Sequence, residues 1–136
     1  MSERAIIRVR DVMKPQFDLV DGLATVAEAL KAMAHTDTKC LIVRKRHEDD
    51  EFGIVTLADI ARQVLAVDRA PARVNIYEIM TKPMIHVPPE MDIRYCARLF
   101  ARLDINRAPV VEDGRVIGVV GYTDMVIKGL AGRDCA

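Results

Sequence analysis

The 136-residue chain has no tryptophan, 4% aromatic residues and a single serine, Ser2. The lack of aromatics argues against a base-stacking platform for single-stranded nucleic acid. With no serine in the body of the chain, no Ser/His/Asp nucleophile can be assembled, and no Cys/His arrangement offers itself instead. Net charge is also missing, with 20 Lys and Arg set against 20 Asp and Glu. Binding to nucleic acid mainly through phosphate neutralisation is therefore disfavoured, although a local basic face stays open. The three cysteines, Cys40, Cys96 and Cys135, are odd in number and far apart. They make no disulfide framework and point to a reducing compartment. No apolar run approaches the roughly 18–20 residues of a membrane helix; Val116 to Tyr122, the longest, contains two glycines. Met1 to Arg10 holds Glu3 and alternating arginines, so no secretory signal is expected. His35, His47 and His86 show no metal-ligand spacing. A soluble cytoplasmic protein is the expectation.

What is present is enough apolar sequence, 51% of the chain, for one compact fold with a single real core. It is organised as a duplication with a period of 65 to 68 residues. Asp11-Val12-Met13-Lys14-Pro15 returns as Glu78-Ile79-Met80-Thr81-Lys82-Pro83. Gly53-Ile54-Val55 returns as Gly118-Val119-Val120, and Asp59-Ile60 as Asp124-Met125. Such repetition marks one supersecondary unit used twice.

Each half reads as strand, helix, strand, strand, helix. In the first, Phe17 to Val20 is a short strand. Thr25-Val26-Ala27-Glu28 is a capping box, followed by the helical stripe Val26, Ala29, Leu30 and Met33. Cys40 to Arg44 and Phe52 to Thr56 are strands, and Ile60, Val64 and Val67 line a second helix. In the second half, Met84 to Val87 is the opening strand and Ile93, Cys96, Ala97 and Phe100 are the stripe. Ala108 to Glu112 and Val116 to Val120 flank Asp113-Gly114, a hairpin-turn dipeptide. Near-continuous apolar strands indicate sheets covered on both sides, hence a layered α/β fold. Arg44 to His47 followed by Glu48 to Glu51 reads as a solvated hairpin end, with a docking patch as the alternative.

The residues best placed for chemistry lie in Gly53-Ile54-Val55-Thr56-Leu57-Ala58-Asp59, where a buried strand runs into a helix. Free N–H groups and the helix dipole favour a phosphate there, and the carboxylate suits vicinal hydroxyls. A plain capping box, T-x-x-D, explains the same residues without a ligand. The copy, Gly118-Val119-Val120-Gly121-Tyr122-Thr123-Asp124, keeps the Gly and the Asp but has Gly121 in place of the capping Thr. Capping alone does not require the carboxylate in both copies.

Taken with the two Met-x-Pro-like openings, the helix positions 29–33 and 96–100 and Ala108-Pro109-Val110-Val111, these joints resemble the cystathionine β-synthase (CBS) domain family. The resemblance is to its tandem form, the Bateman module, and runs from about Asp11 to Leu130. It implies two βαββα repeats related by a pseudo-two-fold, each a three-stranded sheet with two helices. They would occupy residues 1–68 and 76–136, with 69–75 as linker.

The resemblance further implies a regulatory module, not an enzyme, with clefts for an adenosine-containing ligand. That ligand is AMP, ADP or ATP, with S-adenosylmethionine or NAD as alternatives. Mg²⁺ would accompany only a triphosphate, and no other cofactor is required. Carried over, the first cleft uses Thr56, Ala58 and Asp59 with Thr81, Ile85, Asn106, Arg107, Ala108 and Pro109. Arg107 would face phosphate, a role its guanidinium suits, or else is an exposed strand-entry charge. The second cleft uses Thr123 and Asp124 with Asp18, Lys39 and Cys40. It departs from the pattern at Gly121, at Leu41 where Pro is usual, and at Asp18, so the Asp59 cleft is expected to bind more tightly. A homodimer through the helices 59–67 and 124–130 and an unidentified regulated protein are the expected partners; nucleic acid and membrane are not expected. The alternative is an interaction scaffold of the same fold that no longer binds nucleotide.

Overall fold

The structure is a computed structural model and describes residues 5–131; Ser2 and Cys135 lie outside the described residues. In chain order the first half contains α1 (Val9–Val12), β1 (Leu19–Val20), α2 (Val26–Ala32), β2 (Cys40–Val43), β3 (Gly53–Thr56) and α3 (Leu57–Ile60). The second half contains α4 (Ile93–Leu103), β4 (Arg107–Glu112), β5 (Arg115–Gly121) and α5 (Tyr122–Asp124). Helix α3 continues as π-helical turns over Ala61–Leu65, and α5 does so over Met125–Ala131.

The chain divides into two compact units. One is Phe17–Met84; the other joins the residues up to Gln16 with those from Ile85 onward. The sequence repeats are thus not the compact units, because each repeat's opening packs with the other repeat's strands. In the unit of residues 17–84, Val74, Ile76 and Ile79 join Val26, Leu41, Val43, Val55 and Val64 in the core. The chain beyond Arg69 is held there by main-chain bonds: Val26 N–H donates to the Val74 carbonyl at 2.8 Å, and Ile76 N–H to the Ala24 carbonyl at 2.9 Å. In the other unit, Val9 and Val12 join Val87, Cys96, Phe100, Val110 and Val120. There Val9 N–H donates to the Met91 carbonyl at 2.8 Å.

Local chemistry sets the helix ends. Thr25 Oγ1 accepts from Glu28 N–H at 3.1 Å, and the Glu28 carboxylate accepts from Thr25 N–H at 2.8 Å. Asp92 caps α4 through the N–H of Arg94 at 2.8 Å. The Arg94 side chain holds the Asp92 carboxyl below its ordinary range. The expected stripe on α2 is only partly buried: Val26 and Ala29 are in the core, but Leu30 is more than a third exposed. Val67 lies beyond the second helix of the first repeat and is exposed, not part of its stripe. The charged segment 44–51 is not simply solvated. The Asp50 side chain is only 8% exposed and accepts from Lys82 Nζ at 2.8 Å, which holds its carboxyl well below the usual range.

The two sheets differ. In the first, β1 lies parallel to β2 (Leu19↔Ile42, Val20↔Val43) and β2 antiparallel to β3 (Cys40↔Thr56, Ile42↔Ile54). In the second, β4 and β5 pair antiparallel (Arg107↔Gly121, Pro109↔Val119) with a bulge after Val110. Their turn has positive φ at Asp113 (52°) and Gly114 (76°), the hairpin geometry the dipeptide announces.

The expected three-stranded sheet in the second repeat is not formed; Met84 to Val87 contributes one parallel bridge, Val87↔Val110. Prolines explain this. Val87 N–H donates to the Pro109 carbonyl, and Val111 N–H donates to the Val87 carbonyl, both at 3.0 Å. Extending the ladder one way needs an N–H on Pro109, and extending it the other way needs one on Pro89; neither residue has it. In the first repeat Ile42 stands opposite Ile54 as Pro109 stands opposite Val119, and its N–H bonds the Asp18 carbonyl at 2.9 Å.

One close approach carries the placement of the site. Lys14 crosses β5 so tightly that a Cβ on Gly118 would lie 2.5 Å from the Lys14 carbonyl oxygen and 2.9 Å from Met13 Sδ. Gly118→Ala is therefore expected to destabilise the protein by about 2 kcal/mol, a typical overpacking cost. It should read out as a lower urea midpoint at unchanged m. An unchanged midpoint would show that the crossing yields freely.

Candidate functional site

The two joints between a last strand and its helix are built alike. At the first, Thr56 N–H donates to Asp59 Oδ2 at 2.9 Å and Asp59 N–H donates to Thr56 Oγ1 at 3.0 Å, so the capping box is complete. Leu57 N–H, in the first turn of α3, donates to the Lys39 carbonyl at 3.0 Å. Thr81 lies against β3 through reciprocal main-chain bonds with Ile54 at 2.9 and 3.0 Å, two residues before the cap. Capping uses one Asp59 oxygen. The other, Oδ1, accepts from Arg62 at 2.8 Å; the arginine is 68% exposed and Asp59 16%.

At the second joint Gly121 N–H donates to Asp124 Oδ2 at 2.9 Å. Gly121 has no hydroxyl to return, so half of the capping box is missing. Tyr122 N–H donates to the Asn106 carbonyl at 3.2 Å, as Leu57 does to that of Lys39. Lys14 exchanges main-chain bonds with Val119 at 2.8 and 2.9 Å, as Thr81 does with Ile54. Here the chemistry diverges. Lys14 Nζ donates to Asp124 Oδ1, with side-chain exposures of 22% and 4%. Lys128 Nζ stands 3.7 Å from the same oxygen and donates to the Val12 carbonyl at 3.1 Å.

Within the unit of residues 17–84 lie Asp18, Lys39, Cys40, Thr56, Ala58, Asp59 and Thr81. Ile85, Asn106, Arg107, Ala108, Pro109, Thr123 and Asp124 lie in the other. Ala58, Thr81, Thr123 and Lys39 are exposed, while Cys40 and Ala108 are fully buried and offer a ligand no side chain. The Asp18 carboxylate accepts the N–H groups of Ala34 and His35 at 2.9 and 2.8 Å, so it anchors the chain after α2. Asn106 Oδ1 accepts from Arg107 Nε at 3.1 Å. Strand register places Cys40 at the position of Arg107, and Lys39 at that of Asn106; Ile42, not Leu41, matches Pro109.

Lys14, Arg62 and Lys128 are absent from the sequence-derived site. The signal for Lys14 was available: the repeated openings put it where Thr81 stands. Burial pushes the Cys96 thiol up to about 11, which leaves it unreactive. No group of three or more potential metal ligands exists among the described residues. None of the described helices is long and apolar enough to cross a membrane.

Comparison with known proteins matches the CBS domain model to residues 9–66 and 76–129. The mitochondrial CBS domain-containing protein CBSX3 of Arabidopsis thaliana is 30% identical over 128 residues, covering 87% of this chain and 62% of that protein. The chain spans about three fifths of the length of the first curated relatives it matches. Among solved structures, the hexameric CBS-CP12 protein from bloom-forming cyanobacteria has a TM-score of 0.87 at 37% identity, over 95% of this chain and 75% of that one. The CBS domain pair of protein MJ0100, in complex with 5′-methylthioadenosine and S-adenosyl-L-methionine, has a TM-score of 0.74 at 27% identity, over 89% and 94%.

The unequal burial of the two ion pairs makes an unequal stability effect the expected outcome. Lys14→Met leaves a buried carboxylate short of a partner and should cost roughly 1–3 kcal/mol. Arg62→Ala removes an exposed pair and should change stability by less than about 0.5 kcal/mol. Urea unfolding of both variants checks this, and equal losses would contradict it.

Proposed function

Because the chain belongs to the CBS domain family and carries two such domains, we propose that it is a regulatory module that binds an adenosine-containing ligand. The observation that carries this reading is the Asp59 carboxylate at the strand-to-helix joint. One oxygen is fixed by a backbone N–H, and the other accepts from Arg62, whose exposed head water can receive at little cost. Such an oxygen suits the vicinal hydroxyls of a ribose. The structural neighbour crystallised with two adenosine derivatives supports the same ligand class. In this reading Thr56, Ala58 and Thr81 line the approach to Asp59, and Arg107 is a separate candidate for phosphate, which its guanidinium suits. AMP, ADP or ATP is the regulatory ligand, S-adenosylmethionine or NAD the alternatives.

Occupancy alone regulates nothing; the ligand must bind two states of the module unequally, and the target is a partner protein yet to be identified. We also assign a homodimer to the exposed apolar side chains on and just after the π-helical turns. These are Leu65 and Val67 in one unit and Val126, Ile127 and Leu130 in the other. Isologous pairing is the commonest way to cover such a face.

Titration calorimetry of nucleotide-free protein against AMP, ADP, ATP, S-adenosylmethionine and NAD tests the ligand class. Asp59→Ala should weaken binding by about 1.5–3 kcal/mol, the worth of a hydrogen bond to a charged group, and Asp124→Ala should barely change it. Arg107→Ala should affect ATP more than adenosine. Flat titrations with every ligand would leave the interaction-scaffold reading instead. Sedimentation equilibrium at high micromolar concentration should show dimers, and a single 15.2 kDa species would remove the homodimer.

A further inference from the structure

The two joints share a backbone frame but not their charged partners, and the main difference traces to one side chain. Thr81 and Lys14 occupy matching positions, each tied through both its N–H and its C=O to the strand that feeds the aspartate helix. From that fixed point an uncharged threonine brings no cation to the carboxylate. The lysine reaches it, and its Nζ donates to Asp124 Oδ1 while Gly121 N–H takes Oδ2. Both carboxylate oxygens are engaged on a side chain only 4% exposed. Lys128 stands close enough to reinforce the positive charge but is occupied by the Val12 carbonyl.

A sugar diol approaching Asp124 would have to displace the Lys14 ammonium. That ammonium would then sit, mostly buried, beside the like charge of Lys128, with its main chain unable to move away. At Asp59 the same approach displaces only Arg62, whose head lies in solvent.

We propose that Lys14 is a specificity-determining residue that closes the Asp124 joint to adenosine-type ligands, its ammonium standing on the oxygen a ribose would take. The chain is then a one-site binder built from a two-site frame. This rests on the reading that Asp59 takes the sugar.

The test uses 5′-methylthioadenosine, an uncharged probe whose binding does not draw on phosphate contacts. Calorimetry is run on the full chain, on Asp59→Ala, on Lys14→Thr, and on Lys14→Thr combined with Asp59→Ala. The unmodified chain should bind one equivalent, and Lys14→Thr should bind two. Asp59→Ala should lose at least tenfold in affinity, and the double variant should regain at least tenfold over Asp59→Ala. Lys14→Met, which keeps the aliphatic stem and removes only the charge, should behave as Lys14→Thr does, and thermal unfolding establishes that each variant is folded. Two equal sites in the unmodified chain overturn the proposal. So does a double variant no better than Asp59→Ala while the unmodified chain binds. Binding that appears only when Lys14 is replaced supports the block and removes Asp59 as the sugar ligand. No binding by any of these proteins overturns both.

Discussion

A pair of main-chain crossings governs this molecule. In each unit an opening segment that begins at a methionine is hydrogen-bonded in both directions to the strand leading into an aspartate-bearing helix: Lys14 with Val119, Thr81 with Ile54. At Gly118 the contact excludes a side chain; at Gly53 it is looser, and a Cβ there asks only a small shift of its neighbours. A Cβ on Gly53 would lie 3.0 Å from Met80 Sδ, and one on Gly118 would lie 2.5 Å from the Lys14 carbonyl. Through the crossing at Val119, the Lys14 side chain is delivered to the Asp124 carboxylate. The charge beside Asp124 is therefore supplied by a residue 110 positions away in sequence.

The duplication shows how little is needed to separate two such sites. Thr56, Asp59 and Arg62 make a joint with a complete cap and a carboxylate oxygen paired with a solvent-exposed arginine. Gly121, Asp124, Lys14 and Lys128 make a joint with half a cap and a carboxylate already neutralised inside the protein. Exposed pairs are weak because water competes for both partners. A buried pair is costly to break from either side, since the remaining charge has no solvent to receive it. The same type of interaction is thus weakly held at one joint and firmly held at the other. Membership in the CBS domain family supplies the frame, and the side chains make its two copies chemically different.

The sheets carry a parallel lesson about register. Both repeats have a first segment able to run beside the central strand, but only the first becomes a strand. Ile42 has the N–H that Pro109 lacks, and Pro89 closes the other end. The shortened edge leaves Ile85 outside any strand and exposed.

Contiguous sequence settled what short-range forces settle. The capping boxes at Thr25 and Thr56, the cap at Asp92, the Asp113-Gly114 turn and the buried strand Cys40–Val43 each depend on residues a few positions apart. All but the Asp92 cap were legible as local pattern. The repeat itself, and with it the family and the two aspartates, was legible because a duplication is a comparison of the chain with itself. The exchange of openings between the halves was not legible, nor were the anchoring of Asp50 by Lys82 and the pairing of Lys14 with Asp124 across 110 residues. Those contacts join segments whose separation in sequence says nothing about their distance in space. Only the packed core, by bringing Val9 and Val12 beside Val110 and Val120, puts an ammonium and a carboxylate within reach of each other.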